Sequence, residues 1–313
     1  KQAALAAGVS PPAPGAGPAV FQPAPARPPL YWRLWLRRRW LAAALLAVLA
    51  AVKLLLPGPL IIHFLDVGQG DGIVIETPSH HFWLVDGGST TVSGLGEYRL
   101  APFLKTRGAS VIDFAVVSHP DRDHISGLTE LLTMWPPKYL ILSPAAAAAD
   151  SGQALVALAA DKGVKVLYMR QGEQMRDGQV VISCLGPDEG ADLWDVNQAS
   201  LVLEVAYKDF SLLLPGDIDS RVEAALAAQW RSVSLLKVAH HGAGGGTGAD
   251  FLAAAQPLAA VISCGENNIY GHPHPDTVKR LEAAGCRIYL TPRDGAVQVI
   301  TNGKGMRIRP FLT

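Results

Sequence analysis

The stretch Phe114-Ala115-Val116-Val117-Ser118-His119-Pro120-Asp121-Arg122-Asp123-His124-Ile125-Ser126-Gly127-Leu128 reads as a buried strand, a turn and the opening of a helix. His119, Asp121, Asp123 and His124 place four side chains able to bind a metal on that one turn. Neutral imidazole and carboxylate suit zinc, manganese or iron. Alternation along an extended turn lets His119 and Asp121 face one way, which leaves Asp123 and His124 for a second ion. A solvated loop has no need of so many ligands.

Working outward, the pattern from Leu60 onward is one of short apolar runs punctuated by Gly and Pro. It predicts strands at 60–67, 72–76, 82–85, 114–118, 139–142, 164–168, 179–185, 200–206, 211–214, 235–238, 260–263, 287–290 and 296–300. Helices are expected at 98–107, 125–134, 152–162, 221–229, 250–255 and 276–284. Strands come first in meanders, and helices interleave later. This predicts an α/β fold of the α+β kind, two mixed sheets packed together with helices outside.

Further clusters lie where strands would end. In Leu65-Asp66-Val67-Gly68-Gln69-Gly70-Asp71-Gly72, the glycines either let backbone N–H groups approach an anion or form a tight hairpin. Asp66, Gln69 and Asp71 are there as support for ligands, water or phosphate. Asp86 in Val85-Asp86-Gly87-Gly88 reads as a carboxylate that orients a histidine rather than as a ligand. Asp217 in Leu214-Pro215-Gly216-Asp217 follows an apolar strand and either reaches a metal or caps the next turn. Adjacent His240 and His241 point to different sides of the chain, so one is expected to be a ligand and the other structural or substrate-facing. In Asn267-Asn268-Ile269-Tyr270-Gly271-His272-Pro273-His274, Asn268 and His272 are candidates to reach a phosphate or protonate a leaving group, and His274 reads as a solvated residue before a helix.

The 49% hydrophobic content of the 313 residues suffices for a sizeable core. The formal net charge of zero hides an asymmetry, +7 over residues 1–59 and −7 over the remainder. An acidic globular part argues mildly against a general DNA-binding surface. Cys184, Cys264 and Cys286 are widely spaced and read as buried apolar residues, not a disulfide framework. Residues 1–30, rich in Ala and Pro, read as a disordered linker. Residues 31–57 place Arg37, Arg38 and Arg39 before an apolar run and are expected to form a transmembrane or membrane-anchoring helix, with the globular domain at 60–313 outside the cell.

The ordered set of motifs resembles the metallo-β-lactamase superfamily, and within it the catalytic domain of the ComEC family of DNA-uptake competence proteins. Leu65-Asp66-Val67-Gly68-Gln69-Gly70-Asp71, Ser118-His119-Pro120-Asp121-Arg122-Asp123-His124, Asn197-Gln198-Ala199-Ser200-Leu201-Val202-Leu203, Leu214-Pro215-Gly216-Asp217-Ile218, Lys237-Val238-Ala239-His240-His241-Gly242 and Tyr270-Gly271-His272-Pro273 carry the match. The resemblance spans residues 60–302. It implies an αββα sandwich, one or two divalent metal ions and phosphodiester hydrolysis. For this branch it implies degradation of the non-transported DNA strand, beside an upstream channel or other competence machinery, at the extracellular face of the cell membrane. The expected metal set is His119, Asp121, Asp123, His124, Asp217 and His240, with His241, Asn197 or Ser200 as further metal or substrate contacts. Asp123 is expected to orient the nucleophile, and Lys237 and His272 to stabilise charge on the phosphoryl oxygens.

Two departures from the superfamily pattern matter. Asp121 stands where a histidine is usual, and no His occurs between His124 and His240. The oxygen-richer set favours manganese, with zinc or magnesium as alternatives. Rival readings are a metallohydrolase acting on a small phosphodiester or another ester or amide, and a non-catalytic module that guides DNA.

Overall fold

A computed structural model describes residues 30–187 and 195–312 of the chain. The expected linker at 1–30 lies outside them but for Leu30. Contacts divide the chain between Leu56 and Pro57 into two units.

The first unit contains a 26-residue helix, Leu30–Leu55. A helix therefore forms where a membrane segment was expected, but no helix among the described residues is long and apolar enough to cross a membrane. The reason is charge spacing. Only 13 uncharged residues separate Arg39 from Lys53, about 20 Å of helix against a hydrocarbon core of roughly 30 Å.

The second unit builds two sheets. The first takes β1 (Leu60–Phe64), β2 (Ile73–Glu76), β3 (Phe82–Val85), β4 (Phe114–Val116), β5 (Tyr139–Leu142) and β6 (Lys165–Tyr168). The second takes β7 (Gln174–Asp177), β8 (Val180–Gly186), β9 (Val202–Tyr207), β10 (Phe210–Leu214), β11 (Leu235–Lys237), β12 (Ala259–Ile262) and β13 (Arg287–Leu290). The chain then returns to the first sheet with the hairpin β14 (Val297–Thr301) and β15 (Met306–Pro310). The sheet orders are β15-β14-β1-β2-β3-β4-β5-β6 and β13-β12-β11-β10-β9-β8-β7.

Alternation explains the layers. Leu60, Ile62 and Phe64 of β1, Trp83 and Val85 of β3, and Leu212 and Leu214 of β10 share one buried core between the sheets. Their neighbours Val74 and Leu84 instead face Leu100, Leu104, Leu128 and Leu131 of the helical layer over the first sheet. Leu213 and Leu236 pack with Phe251, Leu252 and Leu281 over the second. Each fully buried aliphatic or aromatic side chain contributes about 1.5–3 kcal/mol of burial. The result is the expected αββα sandwich.

Both mixed sheets carry a parallel portion, β3-β4-β5-β6 in one and β10-β11-β12-β13 in the other. Loops leaving the carboxyl ends of those strands carry Asp86, His119, Asp217, His241 and Gly265, so the fold gathers chemistry there. One backbone bond, Leu201 N–H to the Ser118 carbonyl at 2.8 Å, ties the two sheets together at this end.

Candidate metal centre

The motif strand ends at Val116, and the helix Arg122–Met134 begins three residues earlier than expected, with Asp121 as its N-cap residue. His124 therefore sits in the first helical turn and is fully buried. Backbone approach fixes that turn. Asp71 N–H donates to the Asp123 carbonyl at 3.0 Å, Gly87 N–H to the His124 carbonyl at 2.7 Å and Gly88 N–H to the Asp71 carbonyl at 2.9 Å. A Cβ on Gly88 would lie 2.4 Å from backbone atoms of Asp123 and His124, and one on Gly70 would lie 2.5 Å from the Asp123 oxygen. These glycines serve close packing of three loops rather than the approach of an anion.

Three imidazoles are oriented by their Nδ1 atoms. His124 Nδ1 is 3.0 Å from Asp86 Oδ2, and His241 Nδ1 is 2.9 Å from the Ser263 carbonyl. His119 Nδ1 lies 3.1 Å from Ser118 Oγ and 3.3 Å from Ser200 Oγ, and Ser118 Oγ in turn donates to Asp86 at 2.8 Å. A proton on each Nδ1 satisfies these acceptors and leaves the lone pair on Nε2. All three Nε2 atoms face one oxygen, Asp217 Oδ2, at 3.3 Å from His124, 3.5 Å from His241 and 3.9 Å from His119.

None of these Nε2 atoms has a hydrogen-bond partner, and neither does Asp217 Oδ1, although all are buried. Each such atom costs about 1–3 kcal/mol if left unsatisfied, so four of them crowded together fit a bound cation. Ligand atoms of Asp71, His124, Asp217 and His241 lie within 4.8 Å of one another, and His119 Nε2 adjoins this group. Asp71 differs from the rest in pairing one oxygen with the Lys237 ammonium. The donor set of imidazole and carboxylate suits a divalent transition metal.

Charge at the centre follows burial and neighbours. Burial works against ionised Asp217, but the facing His124 and His241 imidazoles outweigh it and hold the carboxyl well below its usual range. Burial likewise opposes the Asp123 charge, and the His241 imidazole 3.4 Å away, with His124 beyond it, brings its pKa down to about 2. Burial, with His124 beside it, pushes His119 down to about 3. His272 falls to about 4 by burial and by the charges of His241 and His240.

The expected site residues separate by depth. His119, His124 and Asp217 come together at the buried centre. His241 joins them in the place expected for His240, whose side chain is 34% exposed with Nε2 3.8 Å from Asp217. The backbone is the cause: His240 and His241 are successive residues with positive φ, 46° and 53°, and this sharp turn swings the second ring inward. Asp121 and Asp123 line the mouth, 3.7 Å from His119 Nε2 and 3.4 Å from His241 Nε2. His272 completes the rim, its ring 5.6 Å from that of His240.

Other expectations are corrected. Lys237, expected to stabilise phosphoryl charge, is buried on the inner side between Asp71 and Asp217, its Nζ 3.8 Å from Asp217 Oδ1. Burial opposes its charge, yet those two carboxylates hold the ammonium above its ordinary pKa. Asn268 is committed to its own loop: its amide donates to the Gly265 and His272 carbonyls, and its Oδ1 accepts from the N–H groups of Tyr270 and His272. Asp66 is exposed and accepts from Gly68 N–H in a local turn. Gln69 is buried and accepts from Gly265 N–H at 3.0 Å, joining two loops. Ser200 Oγ accepts from Asp217 N–H at 3.1 Å and lies 3.3 Å from His119 Nδ1. Asn197 Oδ1 is buried and without a partner. Asp86 Oδ2 lies 3.0 Å from His124 Nδ1. Sequence reasoning passed over Ser118, whose place directly before His119 was the available signal, and the Ser263 carbonyl, for which there was none.

No family model matches the chain. It is 29% identical over 252 residues to ComE operon protein 3 of Bacillus subtilis, covering 76% of this chain and 32% of that protein. It is 28% identical to Competence protein ComA of Neisseria gonorrhoeae, covering 74% and 31%. Recombination protein 2 of Haemophilus influenzae is 26% identical, with 75% and 28% covered. The chain thus spans about a third or less of these relatives' lengths. Among solved structures, the metallo-β-lactamase fold protein YhfI of Bacillus subtilis superposes with a TM-score of 0.50 at 11% identity, over 75% of this chain and 98% of that one. CmlA, a diiron β-hydroxylase of Streptomyces venezuelae, gives 0.51 at 13%, over 82% and 55%. The chain has the metallo-β-lactamase fold and is similar in sequence to ComEC-type competence proteins.

Proposed function

We propose that this chain is a metal-dependent phosphodiesterase that degrades single-stranded DNA during competence-linked uptake. The observation that carries the reading is the convergence of three buried, otherwise unpartnered Nε2 atoms on Asp217, in a chain similar to competence proteins. His119, His124, His241 and Asp217 hold a divalent ion, manganese by preference, which when bound acidifies water and offsets charge on phosphoryl oxygens. Asp123, kept ionised at the mouth, orients the attacking water. His272, whose pKa burial and the adjoining His241 and His240 rings lower to about 4, is neutral and offers a hydrogen bond to the phosphoryl group, not a cationic acid. The fixed imidazoles read no base, which suits an enzyme that meets any sequence.

In the finer placement, the catalytic unit works at the extracellular face of the cell membrane beside a channel. Arg37–Arg39 ahead of the apolar run supports that orientation. Exposed Tyr31, Trp32, Trp35 and Trp40 on the first helix suit contact with a lipid headgroup layer. The acidic charge of the globular part favours a second substrate, a small phosphodiester. Digestion assays test both: a single-stranded oligonucleotide and a small chromogenic phosphodiester are offered to chelated protein restored with manganese, zinc or magnesium. Strand cleavage that returns best with manganese is expected. Turnover of the small diester alone selects the second substrate, and cleavage indifferent to chelation overturns the metal mechanism.

A further inference from the structure

The loop between β12 and the helix Pro275–Ala283 presents two apolar side chains to solvent at the mouth of the metal centre. Ile269 is 92% exposed and Tyr270 is 54% exposed. Free apolar loop tips are common, but this one is held rigidly. The Asn268 side chain makes four hydrogen bonds within the loop, to Gly265, Tyr270 and twice to His272. Gln69 clamps its base through Gly265. The Tyr270 ring stacks on that of His272 at 5.7 Å and 25°, and His272 lies 27° from parallel with His241 at 6.2 Å. Rings therefore run in sequence from the surface to the buried metal group.

We infer that Tyr270, with Ile269 beside it, is a stacking platform for a nucleobase next to the scissile phosphate. The inference rests on the proposed action on single-stranded nucleic acid, and names the residues that grip it. A flat aromatic face fixed in advance takes any base, because every base has a π face. It also loses little conformational entropy when the strand arrives. This grip suits the net acidic charge of residues 60–313, because stacking supplies attraction that does not depend on backbone charge.

The test measures binding separately from cleavage. The full chain, loaded with manganese, is titrated with a cleavage-resistant phosphorothioate oligothymidylate and with a same-length strand of abasic units. Wild-type protein is expected to bind the base-bearing strand about tenfold more tightly. Tyr270→Ala should reduce that ratio to near one, and Tyr270→Trp should restore it. A ratio that survives Tyr270→Ala, or a wild-type ratio of one, overturns the platform. Cleavage of ordinary oligonucleotide by the wild type is read in parallel. Its absence with a base preference intact sinks the nuclease reading and leaves the platform standing. If Tyr270→Ala changes only association with lipid vesicles, the patch is a membrane contact and the inference fails.

Discussion

His240 and His241 approach the same Asp217 oxygen, at 3.8 and 3.5 Å, yet their surroundings differ. His241 is buried with Nδ1 fixed by a carbonyl, whereas His240 is half-buried at the rim. His241→Ala is therefore expected to lower metal affinity by more than tenfold, and His240→Ala to leave bound metal near the wild-type level; metal analysis after dialysis reads both. Asp86→Asn should weaken metal binding by about 10–100-fold, since the acceptor that sets His124 is degraded but the ligand remains. Lys237→Ala separates two roles for one residue. A side chain that only faced substrate would change turnover alone. Because Lys237 neutralises buried Asp71, its loss is expected to cost about 3–5 kcal/mol of stability, seen in denaturant unfolding.

At the scale of elements, the junction of β1, β2 and the helix Ala101–Thr106 is held by one carboxylate. Glu76 accepts from Arg107 Nε at 2.5 Å and Nη2 at 3.1 Å, and lies 2.6 Å from His63 Nε2. Burial opposes its charge, but His63 and Arg107 prevail and hold the carboxyl below its ordinary value. Its stabilisation is accordingly complete above the unfolded carboxyl's pKa and is lost as pH falls through the lower, folded value. Glu76→Gln is expected to cost about 1–3 kcal/mol at pH 7 and to converge on the wild type in acid, which thermal melts across pH can check. Elements also show where pattern reading stops. Among the described residues, the two strands the sequence did not reveal, β7 and β15, are both sheet edges: Gln174-Met175-Arg176-Asp177 has a single apolar residue, and Met306-Arg307-Ile308-Arg309-Pro310 alternates over only five residues. An edge strand pairs on one side only and tolerates charge, so composition does not betray it.

Over the whole molecule, the metal centre lies where both sheets end, so an ion there ties the two halves of the sandwich. A ligand that binds only the folded state at 100 times its Kd adds about 2.7 kcal/mol. For a unit of this size that is roughly 5–10 °C in Tm. Chelation followed by calorimetry is expected to show that drop, and restoring manganese should reverse it. An unchanged Tm would mean that the converging imidazoles hold no ion.

The sequence by itself determined the sandwich and offered the candidates for its site. Strands of alternating or continuous apolar residues are local statements, and Asp86, His119 and Asp217 follow such strands while His124 opens the helix after one. Asp86 was read from the sequence as a carboxylate beside a histidine, and it lies against His124. What only the tertiary structure decided are facts of orientation and of partnership between segments far apart in the chain. Whether His240 or His241 turns inward depends on two consecutive positive φ angles, which residue names do not encode. Whether Lys237 meets substrate or Asp71 depends on a loop some 166 residues earlier in the chain. Whether glycines cradle an anion or a neighbouring backbone depends on what packs above them, and at Gly70 and Gly88 it is the turn that carries Asp123 and His124. Local patterns set which residues can do chemistry; the packing of distant loops, through sterics and burial, sets which of them face one another.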